Sequence, residues 1–351
     1  MKTFLTLETG ATQLDVGFEQ SKNILSDSSD ALTIKLNTLT ELEKLQAVLG
    51  WLVVGNYPLA RSGLDCLINK PAFGWACGSY VAWTGDDYIL SELAEPIAFW
   101  KNELTRNSSF SSIYRQMGFS ALAGAYHGRR DTGSAQDFER SLISKDETYA
   151  HDELNRHQID RFLTIPPLPN TPEHLATILG LNSTLNADQL YLVWERLNTI
   201  HSDGNKESLN TSQTGEVSDH LILASLITSC FLLGIMGTLP DAPSGRVTLE
   251  PNIPNNLNYF GVRNLRLGLD AVDLLYEKEG GQHCFVIEQS RGRVPLNLIL
   301  RPNISGTEIN RIYIDGEIAE LEWWADSKIN RVFTQVQLYL DQKRTVTVVP
   351  I

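Results

Sequence analysis

The chain is 351 residues long, 42% hydrophobic and 20% charged, with a formal net charge of −13. That length gives roughly two domains with a large buried core, and the composition excludes a disordered or fibrous chain. No Lys/Arg run or basic aromatic stripe relieves the negative charge, which excludes nucleic acid as a partner on electrostatic grounds.

The first residues, Met1 to Glu8, hold no sustained apolar stretch and no small-residue cleavage site, so no secretory signal is expected. Cys66, Cys77, Cys230 and Cys284 lie far apart among apolar neighbours. This suits reduced, packed thiols and a cytoplasmic location, with no metal and no cofactor expected. Up to about residue 237, apolar residues recur at helical spacing between short Gly, Pro, Asn and Ser breaks, the pattern of a string of helical hairpins.

Thr40 to Gly55 carries Leu42, Leu45, Val48, Leu49 and Leu52 on one face, and Asn56-Tyr57-Pro58 turns it into a return helix, Leu59 to Ile68. Phe73 to Trp83 is a small-residue helix closed by Thr84-Gly85-Asp86, with Asp86 capping a helix from about Asp87 to Leu104. Ser109 to His127 is a further buried helix, followed by a polar segment, Gly128 to Gln136, and a charged helix from Asp137 to Phe162 that Ile165-Pro166-Pro167 stops. Shorter helices are predicted at Pro172 to Leu179 and Ala187 to Ile200. Ser202 to Glu216 reads as a long loop or lid. Leu221 to Leu239 approaches membrane-spanning length, but Ser225, Thr228, Ser229, Gly234 and Gly237 dilute it, so it reads as a buried core helix and no membrane is expected.

From Arg246 the period becomes alternating. Strands are predicted at Val247 to Glu250, Leu265 to Leu267, Val272 to Leu274, Phe285 to Ile287, Leu296 to Leu300, Ile312 to Ile314, Val332 to Leu340 and Thr345 to Val349. Helices first and strands last predict two segregated domains: residues 1–240, helical, and residues 241–351, an antiparallel β-sandwich.

The segment Leu233-Gly234-Ile235-Met236-Gly237-Thr238-Leu239-Pro240-Asp241-Ala242-Pro243-Ser244-Gly245-Arg246, with Leu249-Glu250-Pro251-Asn252-Ile253-Pro254 after it, resembles the junction of six-hairpin (α/α toroid) glycosidases, where the last toroid helix passes into a sandwich. Val262 to Gly268 and Val272 to Tyr276 continue the likeness. Tyr80-Val81-Ala82-Trp83-Thr84-Gly85-Asp86-Asp87 resembles a hairpin loop of the bacterial glucosidase and glycogen-debranching members. The resemblance implies an α/α toroid, incomplete or small because only about 240 residues precede the sandwich, whereas twelve helices need about 350 to 450.

It also implies inverting hydrolysis of an α-glucoside or related oligosaccharide, which needs two carboxyls about 6.5 to 9.5 Å apart. Glu216 occupies the place of the family's general base, just before the last helix; its other reading is a first-turn carboxylate complementing the helix dipole. Asp131, between Arg130 and Thr132, is the first candidate for the acid, although neighbouring arginines would depress a carboxyl that should be raised; Asp137 and Glu139 are alternatives. Trp75, Trp83, Trp100, Tyr126 and Trp194 offer apolar faces for sugar rings, against a core reading for each. Glu195 reads as a solvated residue. His151, Asp152, Glu153 and His157 read as a charged helix face, because six residues separate the two histidines, and Trp323-Trp324 reads as a contact between the domains or, alternatively, a sugar platform. The alternatives to a hydrolase are a noncatalytic carbohydrate-binding or assembly protein of the same descent, and one subunit of a split enzyme completed by a complementary helical subunit. A homo-oligomer also remains open.

Overall fold

The computed structural model describes residues 5–27, 36–106, 112–143, 171–181, 185–208, 216–304, 309–326 and 331–351, with backbone alone for 143, 203–208, 216–219, 323–326 and 331–333. Eleven α-helices among them precede nearly all of the strands: α1 Thr12–Ser26, α2 Glu41–Val53, α3 Tyr57–Asp65, α4 Phe73–Thr84, α5 Ile89–Glu92, α6 Ala94–Arg106, α7 Ser112–Gly128, α8 Thr132–Ile143, α9 Pro172–Ile178, α10 Ala187–Ser208 and α11 Glu216–Ser229.

Local chemistry sets several of these ends. Thr40 caps α2 in a reciprocal box with Glu43, satisfying two amides. Pro58 sits in the first turn of α3, where its missing N–H costs nothing. Gly85, at φ +72, closes α4 in the left-handed region and donates its N–H to Val81 O at 2.9 Å.

Four helices end against the strands. At the end of α2, Gly55 O accepts from Arg266 Nη1 at 3.1 Å; at the end of α4, Trp83 O accepts from Gly268 N at 2.7 Å. Gly128, last in α7, packs on Pro243, and α11 leads through a π-helical turn, Cys230–Ile235, into the first strand of the junction. Contacts of Gly78 with Ala121 and of Gly118 with Trp75 fix α4 and α7 side by side and parallel, and Gly50 on Ser225 joins α2 to α11. Helices α3 and α10 start at the strand end and run back, whereas α9 ends beside Gly234 and so runs in the same sense as α2, α4, α7 and α11.

The strands are β1 Thr6–Glu8, β2 Thr238–Asp241, β3 Arg246–Leu249, β4 Asn252–Ile253, β5 Tyr259–Leu267, β6 Asp270–Glu279, β7 Gln282–Arg291, β8 Asn297–Leu300, β9 Asn303–Ile304, β10 Ile309–Ile314, β11 Glu317–Ile318, β12 Glu322–Asp326, β13 Arg331–Tyr339 and β14 Arg344–Pro350. One sheet runs β1-β5-β6-β7-β14-β10-β11 and the second β12-β13-β8-β3-β2. Pairing is antiparallel except for β3 with β8 and β4 with β9. Phe260, Val262, Tyr276, Phe285, Ile287 and Val346 from the first sheet share one core with Val247, Leu298, Val336 and Leu338 from the second.

The structure differs from the sequence expectations at several places. Leu221 to Leu239 is not one helix: α11 stops at Ser229, and the extended backbone from Thr238 follows the π-helical turn. Helix α10 continues to Ser208, through polar residues expected in a loop. Asp86 does not cap; the next helix follows Tyr88 with no side-chain cap, and Thr84 Oγ1 accepts from Asp86 N instead. A break at Leu93 splits Asp87 to Leu104 into two helices. Helix α8 starts at Thr132, five residues before Asp137. The tract holding His151, Asp152, Glu153 and His157 lies outside the described residues. Among the described residues no helix is long and apolar enough to cross a membrane, and no His/Cys/Asp/Glu group is arranged to hold a metal ion.

Candidate functional site

Glu216 is the first residue of α11, and its side chain lies outside the described residues. Helices α10 and α11 form an antiparallel hairpin: Trp194 Nε1 donates to Ile227 O at 3.1 Å, and His201 meets His220 edge-on with ring centroids 6.1 Å apart. Since α11 holds 14 residues and the π-helical turn six, Glu216 stands on the order of 25–30 Å from β2. It therefore belongs to the rim remote from the sandwich, where α2, α4 and α7 also begin.

That rim contains a carboxyl the sequence reading missed. Glu41 opens α2, and its Oε1 accepts from Ala72 N at 2.6 Å. Burial raises its carboxyl above the usual range, with the Ala72 bond and then Lys70 and Lys44 opposing. Tyr114, near the start of α7, is raised by burial first and then by the negative charges of Glu41 and Glu173. The only sequence signal was the capping box at Thr40 and Glu43, which marks a helix start and says nothing of burial. On the same hairpin as Glu216, His201 is 0% exposed, and neither ring nitrogen has a hydrogen-bond partner among the described residues. Burial, and then His220, hold its pKa down to about 4.

The other sequence candidates lie elsewhere. Asp131 precedes α8, at the sandwich end of α7, a 17-residue helix whose length separates it from the remote rim by about 25 Å. Its Oδ1 accepts from Ser134 N at 3.1 Å and its Oδ2 from Ser134 Oγ at 2.8 Å; these bonds hold its carboxyl below the usual range. Asp137 is ion-paired to Lys101, which lies over the Phe138 ring, and Glu139 is paired to His127 at 2.9 Å. Trp75, Trp83 and Trp194 are at most 2% exposed, packed in the helical core, and Tyr126 is half-buried and stacked on Phe138. Trp100 also packs in the core, its Nε1 donating to Pro71 O at 2.9 Å. Glu195 is half-buried rather than solvated, and burial raises its carboxyl while Tyr191 opposes.

At the sandwich end the helices and the strands are joined by polar contacts. Tyr57 Oη shares its one proton between Trp83 O and Arg266 O, 3.1 Å from each, and the Arg266 guanidinium lies 4.8 Å from the Tyr57 ring centroid. Beside this seam, a cleft of about 500 Å³ opens between Ala82, Ser120, Ala121, Gly124, Ala125 and His127 on the helices and Leu239, Pro240, Asp241, Pro243, Arg246 and Thr248 on the strands. None of the sequence candidates lines it.

No family model matches the chain, and no curated protein matches it. Among solved structures, a protein described as a kojibiose phosphorylase from the human microbiome aligns over 79% of this chain and 49% of its own, with 10% identity and a TM-score of 0.36. A Flavobacterium johnsoniae dextranase of glycoside hydrolase family 31, solved with isomaltotriose, aligns over 29% of this chain and 16% of its own, with 14% identity and a TM-score of 0.20. The chain thus spans about half the length of the first and a sixth of the second. At these scores neither likeness carries a step of the reasoning below.

Proposed function

We propose that the protein is carbohydrate-active, an inverting glycoside hydrolase of an α-glucoside or related oligosaccharide, with its site at the rim where α2, α4, α7 and α11 begin. Glu216 is the general base and Glu41 the general acid. The observation that carries this reading is the half-buried Glu41 at that rim, whose carboxyl burial raises above the usual range, the direction a general acid needs. Glu41 protonates the glycosidic oxygen, while Glu216 takes a proton from the water that attacks the anomeric carbon from the opposite face. The sequence resemblance at the junction supports the substrate class.

The test is release of reducing sugar from a panel of α- and β-linked gluco-oligosaccharides by wild type, Glu216→Gln and Glu41→Gln. We expect each variant to fall by about a thousandfold, roughly 4 kcal/mol of barrier. A nitrophenyl glycoside, whose leaving group needs no proton, should restore Glu41→Gln and leave Glu216→Gln inactive. Full activity in either variant removes that residue from its role. A second reading, a noncatalytic carbohydrate-binding protein, is favoured by the engagement of Asp131 as a helix cap and of Asp137 with Lys101. Calorimetric binding of the same sugars with no release by wild type would establish it.

A further inference from the structure

We propose that the seam cleft is a second saccharide site, distinct from the remote rim and 25–30 Å from it by the helix rise. The sugar class of the ligand rests on the function proposed above; the site itself does not.

The cleft volume of about 500 Å³ falls among those of small-molecule sites, typically 300 to 1,000 Å³. Its helical wall is made of Ala82, Ala121, Gly124 and Ala125, small residues that leave the cleft wide. Gly124 is exposed, and a Cβ placed there would meet nothing within 4 Å. Leu239, Pro240 and Pro243 on the opposite wall supply an apolar surface, and Leu239 is 41% exposed.

The polar groups point to a neutral, hydroxyl-rich ligand. Ser120 on α7 and Thr248 on β3 stand on opposite walls, and neither hydroxyl has a hydrogen-bond partner among the described residues. Arg246 is neutralised by Asp241 at 2.7 Å, and His127 is engaged by Glu139 at 2.9 Å, so no cation is left to select an anion. A ligand with a C–H face for the prolines and leucine, and hydroxyls that both donate and accept, matches this lining. A mono- or disaccharide has that chemistry.

The experiment is calorimetric titration of maltose and isomaltose, and separately of inorganic phosphate, into Glu216→Gln, with and without Gly124→Leu. Gly124→Leu fills the cleft from an open helical position, so its melting temperature should be no lower than the parent's. We expect one sugar-binding event to weaken at least tenfold with Gly124→Leu and in Ser120→Ala/Thr248→Val, with no heat from phosphate. Sugar binding unchanged by those substitutions overturns the seam site, and phosphate binding that they abolish overturns the ligand class. Neither result touches hydrolysis by the wild type. Conversely, cleft-dependent sugar binding by a protein that releases no sugar refutes the hydrolase and leaves the seam site standing.

Discussion

Acid should act on His201 before it acts on most of the fold. Its ring has no exposure and no hydrogen-bond partner among the described residues, and its pKa falls from 6.5 to about 4 through burial and then His220. The unfolded chain therefore binds more protons than the native one between those values, so stability drops as pH falls through that window. Linkage gives a loss of about 2 kcal/mol between pH 7 and pH 5, approaching about 3 kcal/mol below pH 4. His283, also held near pH 4 by burial, titrates in parallel and cancels in a comparison of variants. Urea unfolding followed by circular dichroism at pH 7 and pH 5 should show the wild type losing about 2 kcal/mol more than His201→Leu. Removing the ring also removes two buried nitrogens that lack a partner among the described residues, so the variant should be no less stable at pH 7. Equal losses in the two proteins, within about 0.5 kcal/mol, would refute the burial reasoning.

Two alanines on the parallel helices should have opposite effects in the same denaturation assay. Gly78→Ala drives a Cβ into the backbone of Ala121 and should destabilise by about 1–3 kcal/mol, whereas Gly124→Ala, open at its Cβ, should stabilise by about 0.5–1 kcal/mol. Tyr57→Phe removes the hydroxyl that bridges Trp83 O and Arg266 O and should cost about 1 kcal/mol, read as a lower urea midpoint; no change would mean the seam is held by packing alone.

Much of the layout could be read from local signals. The alternation of Phe285 to Ile287 and of Leu296 to Leu300 announced strands because a half-buried pleat demands it, and Gly85 marked the end of α4 because left-handed backbone suits glycine. Other features depended on distant partners. Thr6–Glu8 is too short for a period, yet it pairs with β5. The polar end of α10 is helical beyond Ile200, where no apolar stripe predicts it. The two carboxyls of the proposed site divide the same way: the position of Glu216 at the start of the last helix was legible, while the partial burial of Glu41 arises only when Ala72 arrives from another hairpin. The seam cleft has no motif, because its lining comes from two helices and a β-hairpin far away in sequence.

The pairing of Thr6 with Arg263 and Glu8 with Gly261 also bears on the order of assembly. During synthesis the first strand leaves the ribosome roughly 250 residues before its partner, at about 5–20 residues per second, and must wait unpaired for tens of seconds. Closing a loop of that length costs about 3 kcal/mol more than closing a ten-residue one, so this strand docks late, onto a sheet already formed. Once there it covers the free edge of β5, the side from which another chain could add. Strand β1 thus acts as a clasp that is fastened only after β5 has been made.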